Sequence, residues 1–171
     1  DKVTAGQLKT AMEMLGFCGI EEVAIGADLC AIEEAEEFLE SVPEKQPFMG
    51  TSCCPAWSVM AKTEFPGFAP YISMTMTPMV LTARLVKRRN PGCRIAFIGP
   101  CAAKKLEASR RSVRSEVDFV LTFEELRGMF EAKDIDLEKV EDSPSHYEAS
   151  APGVGFAAGG GVAKAVEDVI H

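Results

Sequence analysis

The run Cys93–Pro100, CRIAFIGP, is apolar on both faces, the pattern of a strand covered above and below in a parallel sheet. Parallel neighbours need crossovers long enough to hold a helix, so this one segment demands helices before and after it. The flanking sequence supplies them. Val3, Leu8, Ala11, Met12 and Leu15 form one helical stripe, stopped by Gly16. A short strand is expected near Val23–Gly26, with Asp28 capping a second helix that runs to about Val42 and ends at Pro43. QPFMGTS reads as a brief strand entering Cys53-Cys54-Pro55, where proline favours the first turn of a helix Ala56–Phe65.

After SMTMTP comes a helix from Pro78 to Arg89, closed by Asn90-Pro91-Gly92. A further helix follows Cys101. Val117–Leu121 reads as a strand, and Thr122 with Glu125 forms a capping box for a helix to about Ala132. Asp134–Ala151 is polar and irregular, a surface excursion, and GVGFAAGGGVAKAVEDVI reads as a strand or turn, a glycine corner and a closing helix. The expected architecture is a single α/β lobe over residues 1–171, three αβα layers around a mostly parallel sheet of about four strands.

Composition removes several function classes. Hydrophobic residues at 47 % and charged residues at 26 % suit a folded domain rather than a disordered chain. The net charge of −8 repels a phosphate backbone, so nucleic acid is not an expected partner. No apolar stretch reaches the roughly 18 residues of a membrane span, and the first residues lack a leader's basic and apolar regions; a cytoplasmic protein is expected.

Six cysteines are too few for a disulfide scaffold and too many to ignore beside two histidines. Cys18, Cys30 and Cys93 read as packing residues. Cys53, Cys54 and Cys101 instead lie where strands run into helices, the edge at which parallel sheets gather ligands. Helix N-termini and the nearby Lys104-Lys105 favour the thiolate that metals bind. The competing reading of each is a small buried apolar residue. Zinc would want paired C-x-x-C units, which are lacking, and His146 and His171 lie in the excursion and at the terminus. An iron–sulfur cluster fits better if further ligands come from outside this segment. A thiol-redox role for the vicinal Cys53-Cys54 pair is a separate alternative.

TSCCPAW at 51–57, followed by PCAAKKLEASR at 100–110, resembles the first two signature segments of the catalytic domain of iron-only (FeFe) hydrogenases. LGF at 15–17, ADL and its glutamate pairs at 27–37, VDFVLTFEEL at 117–126 and FAAGGGVAKA at 156–165 extend the similarity along almost the whole chain. By that resemblance, Cys54 and Cys101 fall on cysteines that hold the 4Fe-4S cubane, which is linked to a di-iron subsite to make the H-cluster. Cys53 falls on the thiol that hands protons to the subsite, and Lys104 on a lysine that hydrogen-bonds one of its cyanide ligands. Glu34, Glu37 and Ser73 fall on the rest of the family's proton route; Glu34 and Glu37, three apart in a helix, share a face.

The resemblance also implies a parent protein that interconverts protons, electrons and molecular hydrogen, of which this chain is one lobe, inactive alone. The family's third signature, with two further cluster cysteines, falls beyond His171, and its opening strand and electron-relay clusters fall before Asp1. The implied partners are the remainder of the catalytic domain and a ferredoxin-like electron carrier or upstream iron–sulfur domains. Gly99 and Met79 stand where many members carry methionine and glutamine, a pattern closer to the family's sensory branch. The alternative function is a hydrogenase-like iron–sulfur protein for cluster assembly or hydrogen sensing without turnover.

Overall fold

The computed structural model describes residues 3–144 and 149–171. Its helices are α1 (Ala5–Met14), α2 (Ala24–Ser41), α3 (Pro55–Glu64), α4 (Pro78–Arg89), α5 (Ala103–Ser109), α6 (Phe123–Ala132), α7 (Ala151–Gly155) and α8 (Gly161–Ile170), with a 3-10 helix at Pro66–Tyr71. Strands β1 (Ala96–Gly99) and β2 (Phe119–Thr122) pair in parallel, from Ala96 opposite Phe119 to Gly99 opposite Thr122. The α/β class therefore holds, with α5 as the crossover and α5 and α6 packed against the sheet.

The sheet is smaller than expected: among the described residues it has two strands, not four. Val23–Gly26 is not a strand but the entry to α2, so Asp28 lies inside that helix rather than at its cap. Close packing decides this. A Cβ on Gly26 would stand 2.5 Å from the Pro78 carbonyl oxygen, so glycine lets α2 lie directly against α4, and that contact overrides the local preference of Val23 and Ile25 for strand. Asp28 instead accepts hydrogen bonds from the Ser150 backbone and hydroxyl, fastening the start of α7 to α2.

QPFMGTS contributes one rung in place of a strand, a lone parallel bridge between Gly50 and Ile72. Pro47 has no N–H to give, and the chain before Ile72 is coiled in the 3-10 helix, so neither side can extend the ladder. That rung still matters. The Gly50 N–H donates to the Tyr71 carbonyl and the Ser73 N–H to the Gly50 carbonyl, both at 2.8 Å, holding Ser73 beside the Thr51–Cys54 corner.

Two apolar clusters carry the packing. Ala27, Cys30, Ala31, Leu81, Phe156 and Ala165 join α2, α4 and α8, with Cys53 against them. Ala11, Met12, Leu126, Phe130 and Ile135 join α1 to α6. Cys30 packs in the α2 cluster as expected and Cys93 is half-buried before β1, whereas Cys18 is exposed, in the turn beyond α1. The final segment holds no strand: α7, a glycine turn and α8 occupy it. His146 lies outside the described residues.

Candidate metal centre

Two corners make the site. At the first, the chain passes Thr51–Cys54 into α3, with Pro55 in the first turn and Cys54 as the N-cap, its sulfur accepting the Trp57 N–H at 3.4 Å. The Trp57 indole donates to the Thr51 carbonyl at 3.2 Å and closes the turn. At the second, β1 ends at Gly99 and leads through Pro100 and Cys101 into α5. The Lys104 ammonium joins them: it donates to the Cys53 carbonyl at 2.9 Å and to Glu107 Oε2 at 2.7 Å. The Cys101 carbonyl accepts the Lys104 N–H at 3.2 Å, so Cys101 lies one turn before the lysine that reaches the Cys53 corner. The Cys54 side is exposed and the Cys101 side half-buried.

The proton-bearing groups line the other flank of the first corner. Glu37 Oε2 accepts the hydroxyls of Ser73 at 2.6 Å and Thr75 at 3.1 Å, and the Thr75 N–H returns to the Ser73 hydroxyl. Glu34 is fully buried (0 % exposed), and its Oε1 accepts the Ser52 N–H at 3.4 Å. Its second oxygen has no partner among the described residues. Ser73 is buried too, at 1 % exposed.

Burial sets the charge states here. It pushes Glu34 up from 4.5 to about 7; the Ser52 N–H opposes this, and the Glu37 carboxylate adds to it. The Cys53 thiol is also pushed up, by burial first and then by Glu34, against the pull of Lys104 and a hydrogen bond with Thr51. Near neutral pH, Cys53 is a thiol rather than a thiolate. That suits a proton donor, and it separates Cys53 from the exposed neighbouring Cys54.

Glu34 links the site to stability. The native state keeps its proton up to about pH 7, while the unfolded chain releases it near 4.5. Between those values the native state binds more protons, so this contribution is present below pH 4.5 and is lost as pH rises through 7, about 3 kcal/mol in all. Glu34→Gln removes the titration. The variant is expected to be more stable than the wild type by about 3 kcal/mol at pH 8 and much closer to it at pH 5, in urea unfolding at the two pH values. Equal differences at both would contradict the assignment.

The Lys104 bond to the Cys53 carbonyl ties the Cys53-Cys54 corner to α5, the helix that follows Cys101, while Glu37 and Ser73 are bonded to each other and Glu34 reaches Ser52 beside that corner. Sequence reading missed Thr75, the second hydroxyl on Glu37, and Glu107. Glu107 carried a usable signal in its i+3 spacing from Lys104; Thr75 carried none, since its contact with Glu37 spans 38 positions. Met79 is buried within α4, and Gly99 closes β1 just before Pro100–Cys101.

The whole chain, residues 1–171, matches the family described as iron only hydrogenase large subunit, C-terminal domain. It is 32 % identical to iron hydrogenase 1 of Clostridium pasteurianum over 176 aligned positions, covering 94 % of this chain and 31 % of that protein. The cytosolic Fe-S cluster assembly factor NAR1 of Kluyveromyces lactis is 35 % identical over 97 positions, 57 % of this chain and 21 % of that protein. An apo FeFe hydrogenase from Chlamydomonas reinhardtii has a similar solved structure, with TM-score 0.82 and 28 % identity, over 99 % of this chain and 47 % of that one. The chain thus spans less than half the length of these relatives, and it belongs to the iron-only hydrogenase large-subunit family, within its C-terminal domain.

Proposed function

We propose that residues 1–171 form one lobe of a hydrogenase catalytic domain whose parent protein interconverts molecular hydrogen with protons and electrons. The observation that carries this reading is the Lys104 bond to the Cys53 carbonyl, which ties the first cysteine corner to the helix that follows Cys101. The donor set fits an iron–sulfur cluster in part. Cys54 and Cys101 are two thiols at helix starts, and among the described residues no group of three or more metal-binding side chains gathers. The remainder of the domain would supply the other two thiolates of a cubane.

A bound 4Fe-4S cubane with a linked di-iron subsite would supply the electron and hydrogen chemistry. The residues of this chain would do the rest. Cys54 and Cys101 would hold the cubane. Glu37, bonded to the Ser73 hydroxyl, would take up protons, and Glu34, whose buried second oxygen has no partner among the described residues, would pass them on toward the Cys53 thiol. Lys104 spends two of its three N–H groups on Cys53 and Glu107, and the third is free, among the described residues, to meet an anionic ligand in the pocket.

A ferredoxin-like carrier, or iron–sulfur domains of the same parent, would deliver electrons. The cytoplasm, where thiols stay reduced, suits six unpaired cysteines. No helix of the described residues is long and apolar enough to cross a membrane. A cluster-assembly role, which the similarity to the NAR1 factor supports, has no use for a buried carboxyl pushed up to about 7 together with a buried thiol. Formation of HD from deuterium gas in ordinary water by the full-length protein, prepared anaerobically and loaded with its cluster, separates the two. HD release is expected; iron-loaded protein that forms none would leave assembly or sensing as the function.

A further inference from the structure

We propose that Glu107 is a positioning residue, the group that aims the Lys104 ammonium and ties the proton-route segment to it. The inference rests on the reading of Lys104 as a donor into the cluster pocket. Glu107 is 4 % exposed, and both its oxygens are engaged: Oε2 by Lys104 at 2.7 Å, Oε1 by the Thr77 hydroxyl at 2.6 Å.

Thr77 is the telling partner. It is the N-cap of α4, yet its side chain makes no capping bond, and its hydroxyl goes to Glu107 instead. A capping bond is the usual use of threonine at that position, so this helix forgoes it to place a donor on the carboxylate. Three segments therefore converge on one ion pair: the Cys53 corner through its carbonyl, the 73–77 segment through Thr77, and α5, which carries both charges.

Lys104 depends on this arrangement. Beside the pair lies a cavity of about 430 Å³, walled by Glu107, Ser73, Thr77, Arg84 and Arg110 among others. Without the carboxylate, only the Cys53 carbonyl holds the flexible four-carbon stem. The third N–H would then point nowhere in particular. A planar amide at position 107 keeps the size and still accepts from Thr77, but it loses the charge that grips the ammonium.

Acylation of lysines by an N-hydroxysuccinimide ester, mapped peptide by peptide in the full-length protein, reads this directly, with Lys105 and its Glu125 partner as internal control. In Glu107→Gln, Lys104 labelling is expected to rise about tenfold relative to Lys105, as a charge-assisted bond is replaced by a weak one. HD formation is expected to fall about tenfold, at unchanged iron content and melting temperature. Thr77→Val removes one of the two bonds on the carboxylate and is expected to raise Lys104 labelling about threefold, which keeps the test open should Glu107→Gln not fold. Lys104 labelling at the wild-type level in either folded variant overturns the proposal. A wild type that labels as described but forms no HD would overturn the hydrogenase reading and leave the positioning of Lys104 standing.

Discussion

In the full-length protein, Cys53→Ala is expected to keep its iron and lose HD formation by about 10²- to 10⁴-fold, the range a positioned proton donor contributes. The asymmetry follows from burial. Cys53 is held as a thiol by burial and by Glu34, which suits a proton donor rather than a metal ligand. Alanine fits the space, because Cys53 packs on the small-residue cluster of Ala27, Cys30 and Ala31. Iron analysis and HD release on the same sample check both halves. Loss of iron in Cys53→Ala would mean that this thiol, not its neighbour, binds the metal.

The route behind Cys53 depends on contacts of very different range. Ser73 and Glu37 are 36 positions apart and meet only because the Gly50–Ile72 rung folds the 71–75 segment back onto α2. Such contacts leave little local mark. Legibility in the sequence follows the same division. The Thr122–Glu125 capping box, the proline-led starts of α3 and α4, and the central strand are all local signals, and each lies where expected, although β1 is only four residues long.

Val23–Gly26 went the other way because the contact between Gly26 and the Pro78 carbonyl, an interhelical event, outweighs four residues of strand preference. The sheet of about four strands shrank to two for that reason and because Pro47 and the 3-10 helix limit the second candidate to one rung. At the site, Cys101 was readable as the junction of β1 and α5 and Cys54 as the start of α3, although no strand precedes it among the described residues. The link between the two was not, since it depends on a lysine side chain reaching a carbonyl 51 positions away. Glu34 was readable as part of a helix face; that its carboxyl would be pushed up to about 7 was not, because the cause is its complete burial, which no local pattern marks.

Cys54→Ala and Cys101→Ala carry the other large effect. A cubane held by Cys54 and Cys101 that loses one of these thiolates would find, apart from the buried Cys53 thiol beside Cys54, no other cysteine of this chain placed to replace it; Cys18, Cys30 and Cys93 sit in a turn, in the core of α2 and before β1. Both variants should fold, since Cys54 is exposed and its backbone still starts α3 at Pro55.

The meeting of the two corners around one shared inorganic centre is tested most directly by iron and acid-labile sulfide per chain in anaerobically prepared full-length protein. Wild type, Cys54→Ala and Cys101→Ala are compared, with Cys93→Ala as the control. Both site variants are predicted to lose most of their iron and sulfide together while Cys93→Ala keeps its own; wild-type iron and sulfide in either Cys54→Ala or Cys101→Ala would contradict a centre held jointly by these two cysteines.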